Sequence, residues 1–149
     1  MLYRANRDGF QITDYWPKVK GKSRLIHIIK AESGRIFGGY QSKATDTSNY
    51  QRFTHDAEAC IFSVTDRKVY KIKKNEVEKA LFYKDNNYMI IFGDGDITIA
   101  NGSDKAKLSF TNFGYDYGCY KAPSKMDEKT ASESLAGESE FKVDDIEVY

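Results

Sequence analysis

Apolar residues in this chain come in short runs, and turn chemistry ends almost every run. Leu25–Ile29 is followed by Glu32-Ser33-Gly34, Ala57–Thr65 by Asp66-Arg67, Tyr88–Phe92 by Asp94-Gly95, and Asp96–Ala100 by Asn101-Gly102. Runs this short cannot supply the apolar stripe of a long helix, but they suit strands joined by tight turns. Only Pro17 and Pro123 interrupt the backbone donors, so strands can run without breaks. The pattern predicts a mainly β domain, α+β by content: about nine strands in a two-sheet antiparallel β-sandwich flanked by short helices.

Composition agrees. Eleven Tyr and nine Phe favour half-buried sheet positions, where a ring packs inward and a hydroxyl reaches water. The 149 residues suit a single domain over 1–149. Such a domain buries roughly 68–70% of its unfolded surface, enough for a core without staples.

The element readings follow. Thr13 is the expected N-cap of a two-turn helix, with Asp14 favoured by the dipole, Pro17 in the first turn and Gly21 as the stop. Leu25–Ile29 reads as a strand covered on both faces, paired in a hairpin with Ile36–Tyr40. Gly38-Gly39 within that partner marks a bulge or a close approach. Gln41–His55 reads as a loop. Ala57–Thr65 and Lys68–Lys73 form a second hairpin. Asn75–Tyr83 is open between helix and strand, because Asn75 and Glu78 mimic a capping box whereas Leu81-Phe82-Tyr83 favours strand. Asp85-Asn86-Asn87 is a turn, and Lys107–Thr111 a strand. Lys121–Glu140 reads as an exposed loop with a helical turn. In Phe141–Tyr149 the apolar phase slips between Val143 and Ile146, which predicts a bulge near Asp144-Asp145.

The chemistry is mostly exclusion. Twenty-three Lys and Arg against 22 Asp and Glu give a net charge of +1, so no bulk affinity for nucleic acid or anionic membrane is expected. Lys71, Lys73 and Lys74 read as a solvated face. No signal peptide and no apolar run of ~18 residues is visible, which points to a soluble, cytoplasmic protein with reduced thiols. Cys60 reads as a small core residue and Cys119 as partly exposed. His27 reads as a core histidine, and His55 beside Asp56 lacks a nucleophile. Spacing from Asp94 or Asp96 fails the calcium-loop pattern, and the two histidines and two cysteines cannot make a zinc site. Gly93-Asp94-Gly95 joins strand to strand and so offers no helix N-terminus to a phosphate. No catalytic residue, metal or cofactor is expected.

Several segments, in order, resemble a TLDc domain, the module of oxidation-resistance proteins. Leu2-Tyr3-Arg4-Ala5-Asn6-Arg7-Asp8-Gly9 is similar to the family's LYR-x-S-RDG opening, with Asn6 replacing Ser. Phe37-Gly38-Gly39-Tyr40 matches its FGGY signature. Ala59–Ser63 is similar to the AFLFSL strand. Phe92–Ile97 resembles a shortened FGGGGDI turn with Asp94 where Gly is usual, Asn112-Phe113-Gly114 a TFGN-type segment, and Phe141–Tyr149 the closing F-x-V-x-x-IEV strand. The signature positions are thus Arg7, Asp8, Gly9, Phe37, Gly38, Gly39, Tyr40, Gly93, Gly95, Gly114 and Glu147. The glycines are expected to serve backbone shape, and Arg7, Asp8 and Glu147 to form a buried network near the chain ends.

The resemblance implies a β-sandwich with short helices and resolves Ala80–Tyr83 as strand. Members usually carry a helical stretch before the Leu2-Tyr3-Arg4 strand, and its absence suggests a minimal form or a fragment. The resemblance implies no accepted catalysis. It implies protection from oxidative stress and a protein partner, the peripheral subunits of the vacuolar proton-pumping ATPase. Competing readings are a peroxide-related enzyme using Cys119, and a ligand- or carbohydrate-binding sandwich using Tyr115, Tyr117 and Tyr120.

Overall fold

The computed structural model describes residues 1–48, 51–84, 87–115 and 118–149. Asp85 and Asn86 of the expected turn, and Tyr117, lie outside the described residues. In chain order the elements are β1 (Tyr3–Arg4), α1 (Ala5–Asp8), α2 (Ile12–Val19), β2 (Leu25–Ala31), β3 (Ile36–Gln41), β4 (Arg52–Thr54), β5 (Cys60–Ser63), β6 (Lys68–Lys71), β7 (Leu81–Tyr83), β8 (Tyr88–Phe92), β9 (Ile97–Ala100), β10 (Ser109–Phe110), α3 (Glu128–Glu133), β11 (Glu140–Phe141) and β12 (Val143–Val148).

The strands form two six-stranded sheets, ordered β1-β12-β2-β3-β5-β6 and β11-β10-β9-β8-β7-β4, every pairing antiparallel. This is the expected β-sandwich with short helices. The described residues hold twelve strands against the nine expected, because β1, β4 and β11 are too short to show an apolar period. β4 lies inside the expected loop Gln41–His55.

The hairpin of β2 and β3 pairs as read, with Ile28 opposite Gly38 and His27 opposite Gly39. The register of β12 on β2 shifts between Val143 and Asp145, the predicted bulge. A short 3-10 turn at Val77–Lys79 precedes β7, so helix-like chemistry and strand chemistry each hold part of Asn75–Tyr83.

Three expectations change. Helix α2 has Gln11 as its N-cap instead of Thr13, which puts Pro17 past the first turn, because a local capping box and one distant partner set its start. Asn101 Oδ1 accepts the Ile12 N–H at 2.8 Å, and Asp14 Oδ2 accepts the Gln11 N–H at 3.1 Å. Strand β2 is covered on one face only, with Ile26 41% exposed. Burial on both faces falls instead on β8, where Met89, Ile90, Ile91 and Phe92 are buried, and on β9, where Ile97, Thr98, Ile99 and Ala100 are. Lys121–Glu140 is not simply exposed. Ala131, Leu135 and Ala136 are buried, and Arg35 Nε donates to the Leu135 carbonyl at 2.8 Å.

The core lies between the sheets and under α2. Phe37 meets Phe141 edge-on at 5.7 Å, and His27 meets Phe92 at 5.6 Å. From α2, Tyr15 packs edge-on against Tyr3 at 5.3 Å and its hydroxyl meets His27 Nε2 at 2.8 Å. Trp16 reaches Tyr83 at 5.2 Å. A helix of eight residues does not hold by itself, and these aromatic contacts anchor it.

Candidate functional site

The signature positions fall into three places. Phe37, Gly38, Gly39 and Tyr40 lie in the middle of the first sheet. Gly39 faces inward, and a Cβ there would lie 2.5 Å from ring carbons of Phe92; a Cβ on Gly38 would lie 1.8 Å from the His27 carbonyl oxygen. Both glycines therefore serve close packing.

Arg7, Asp8, Gly9 and Glu147 lie at the chain ends, but they do not form one buried network. Arg7 is half exposed and pairs with its neighbour Asp8 at 2.7 Å. That pairing, with the Arg4 N–H, holds the Asp8 carboxyl far below its ordinary range. Glu147 instead lies 3.5 Å from Arg4 and accepts from the Tyr149 hydroxyl at 2.9 Å. The link across the chain ends is made by residues the motif comparison did not single out. Arg4 Nε donates to Asp145 Oδ2 at 2.8 Å, and the Asn6 N–H donates to Asp145 Oδ1 at 3.1 Å. Burial pushes Asp145 up, but the Asn6 N–H and the Arg4 guanidinium outweigh it and leave its pKa lowered.

Gly93, Gly95 and Gly114 gather at one corner with a buried acid, Asp96, 1% exposed. Gly93 and Gly95 have φ of +66° and +102°, values that L side chains resist. The turn they make carries Asp96 inward, with Oδ2 only 2.0 Å from where a Gly93 Cβ would be. Asp96 accepts the backbone N–H of Cys119 at 2.8 Å and of Tyr120 at 3.3 Å. The segment so held pairs with the first sheet, since the Lys73 N–H donates to the Cys119 carbonyl and the Lys121 N–H to the Lys71 carbonyl, both at 2.9 Å. Asp96 thus ties the β8–β9 turn of one sheet to the edge of the other. Burial pushes its pKa up to about 7, against the pull of those two N–H groups and of Lys73.

Two cavities open here. One, of about 380 Å³, is lined by Lys73, Tyr115, Lys121, Ser124 and Lys125 among others. The other, of about 170 Å³, is lined by Asp94, Asp96, Asn112, Tyr115 and Glu128 with Gly118. Among the described residues no group of three His, Cys, Asp or Glu side chains could hold a metal ion. Of the aromatics named for ligand binding, Tyr115 lines both cavities. Tyr120 is wholly buried, its hydroxyl on the Ala80 carbonyl at 2.6 Å, so its ring offers no stacking face.

The thiol readings exchange places: Cys119 is buried and Cys60 is half-buried. Cys119 is not partly exposed as expected, because Asp96 accepts its backbone N–H and holds the segment inside. Burial, then Asp96, pushes the Cys119 thiol up to about 11, and burial raises Cys60 as well. Neither is a thiolate at neutral pH, so neither is activated as a nucleophile. His27 Nε2 is engaged by Tyr15, and His55 pairs with Glu78 at 2.8 Å on the surface.

None of the described helices is long and apolar enough to cross a membrane. No curated protein matches the chain. The family model of the TLDc domain matches residues 1–149, the whole sequence, and with the sandwich and its signature glycines in place the chain belongs to the TLDc domain family.

Proposed function

We propose that this chain is a non-catalytic protein-interaction module of the cytoplasm. In this reading it contributes to oxidative-stress tolerance by binding the peripheral sector of the vacuolar proton-pumping ATPase. The observation that carries the reading is the family match over the whole chain, since TLDc domains are the modules of oxidation-resistance proteins. The chemistry of the corner is in keeping with it. Both oxygens of Asp96 are taken by backbone donors, and the thiols are raised instead of activated. These groups serve structure, so partner binding is left to the surface.

The test is a pull-down with the folded chain as bait. Enrichment of peripheral subunits of the pump is the expected result. A bait shown to be folded that enriches none of them defeats the reading.

A further inference from the structure

We propose that the outer face of the first sheet docks an acidic, amphipathic helix of a partner protein. The proposal rests on the reading of the chain as an interaction module and names the surface it would use.

The two sheets treat their outer faces differently. On the second sheet, Phe82, Tyr88 and Phe110 close over the strands, and Ile91 and Thr98 are only 8% and 2% exposed. On the first sheet the outward residues Ile28, Tyr40, Cys60 and Phe62 are only half-buried. Antiparallel register puts Ile28, Gly38, Phe62 and Val69 in one row across four strands, and Ile26, Tyr40, Cys60 and Lys71 in the next. Val69 is 65% exposed and Ile26 41%. Contiguous exposed and half-buried apolar side chains on a sheet face mark an interaction site. The face is also concave. A hollow of about 280 Å³ has Ile28 and Ile36 among its lining residues, with Arg4, Lys30 and the acids Asp144, Asp145 and Glu147 around them.

Charge names the partner. At the β1 end of this face each acid has a cation beside it: Asp144 has Lys30 at 2.5 Å, and Asp145 and Glu147 share Arg4. The cations at the opposite end are unmatched. Arg24 precedes β2, Lys43 follows β3 and Lys71 ends β6, all at one end of the sheet and all exposed. Among the described residues none of the three has an ion pair. Two acids lie at that end: exposed Glu58, before β5, and Asp56, which is buried and occupied by the backbone N–H groups of Ser42 and Lys43. A surface with an apolar strip and unmatched cations is complementary to a segment carrying apolar residues on one side and carboxylates beside them.

The available backbone selects a helix. Strand addition needs a free sheet edge. On the β6 side, the Lys71 carbonyl is already taken by Lys121, and β1 at the other edge has two residues. Both edges are thus restricted, and the broader surface is the face, where an amphipathic helix buries its stripe against a sheet.

Photo-crosslinking in the full chain tests this. Benzoylphenylalanine replaces Val69 or Ile26, and in a control Leu108, which is 60% exposed and outside this sheet. Each protein is irradiated in cell extract, and the crosslinked peptides are sequenced. Expected adducts from positions 69 and 26 map to a partner segment with apolar residues at helical spacing and an excess of Asp and Glu, a segment that position 108 does not capture. Combining Arg24→Glu, Lys43→Glu and Lys71→Glu reduces that capture about tenfold, with thermal unfolding showing each variant folded. Should the triple variant unfold, Lys71→Glu alone must still reduce capture. Four results overturn the proposal: no adduct at 69 and 26, adducts to a second copy of this chain, adducts to a neutral or basic segment, or capture insensitive to charge reversal. Flotation of the chain with phosphatidylserine vesicles, abolished by the same charge reversal, also overturns it in favour of a membrane. The identity of the captured protein is read separately. An acidic helix from a protein other than the pump leaves this surface assigned and defeats the pump reading.

Discussion

Gly39 and Phe92 share one space: a Cβ at Gly39 would lie 2.5 Å from the ring carbons of Phe92, which is wholly buried in the facing sheet. The FGGY segment is thus half of a contact between sheets. Gly39→Ala is expected to destabilise the fold by about 1–3 kcal/mol through overpacking, read as a lower urea midpoint. Phe92→Leu makes room, so the alanine costs less in that background, and a double-mutant cycle reports the coupling. Gly38→Ala meets the His27 carbonyl instead, and Phe92→Leu brings it no relief.

The sequence showed those glycines as anomalous in a strand, and it showed the bulge at Asp144-Asp145 as a slipped apolar phase. Both are local signals, because side-chain period and backbone freedom are written within a few residues. It did not show what Phe92 does to Gly39, nor that Asn101 caps helix α2, 89 residues away. It missed Arg4 and Asp145, separated by 141 positions. Asp96 read as a turn residue, since nothing in Gly93–Asp96 says that the turn folds inward onto residues 118–120. Polar contacts between distant segments leave no periodicity, and the candidate corner is built almost wholly from them.

Two buried groups oppose each other in acid. His27 is pushed down to about 3 by burial, from an ordinary value of 6.5. Between those values the unfolded chain binds a proton that the fold does not, so His27 makes stability fall as pH falls. Asp96 is raised from 3.8 to about 7. Between those values the fold holds the proton, so Asp96 makes stability fall as pH rises. Each slope is at most about 1.4 kcal/mol per pH unit, and from about pH 4 to 6.5 they cancel. Asp96→Asn is expected to expose the His27 slope, making the protein lose stability on acidification through that window. His27→Gln exposes the opposite slope. Urea unfolding from pH 4 to 8 measures both, and parallel profiles for the two variants contradict the assignment.

The Arg4–Asp145 pair is expected to be asymmetric. Arg4 is 44% exposed at its side chain and Asp145 12%. Arg4→Ala removes solvent-screened contacts to Asp145 and Glu147 and is the milder of the two changes. Asp145→Ala strips the acceptor from the Asn6 and Ile146 N–H groups as well, and costs about 1–3 kcal/mol. Because the Asp145 pKa is lowered, its contribution is present above the ordinary carboxylate value and disappears as pH falls through the lowered one. Equal losses for the two variants at pH 7 contradict this account.

The thiols give the sharpest check on the stress chemistry. Cys60 is half-buried and Cys119 is fully buried, and both are raised by burial, Cys119 to about 11. At pH 7.5 iodoacetamide is expected to label both more slowly than free cysteine, Cys60 ahead of Cys119. Cys119 labelling should follow opening of the Asp96 corner, so Asp96→Ala accelerates it and leaves Cys60 nearly unchanged. With peroxide the same order holds, and the Cys60→Ala, Cys119→Ala double variant consumes peroxide no more slowly than the parent chain. Rapid, saturable oxidation of Cys119 in the native protein contradicts the buried-thiol assignment, and loss of peroxide consumption in the double variant restores the enzyme reading over the interaction module.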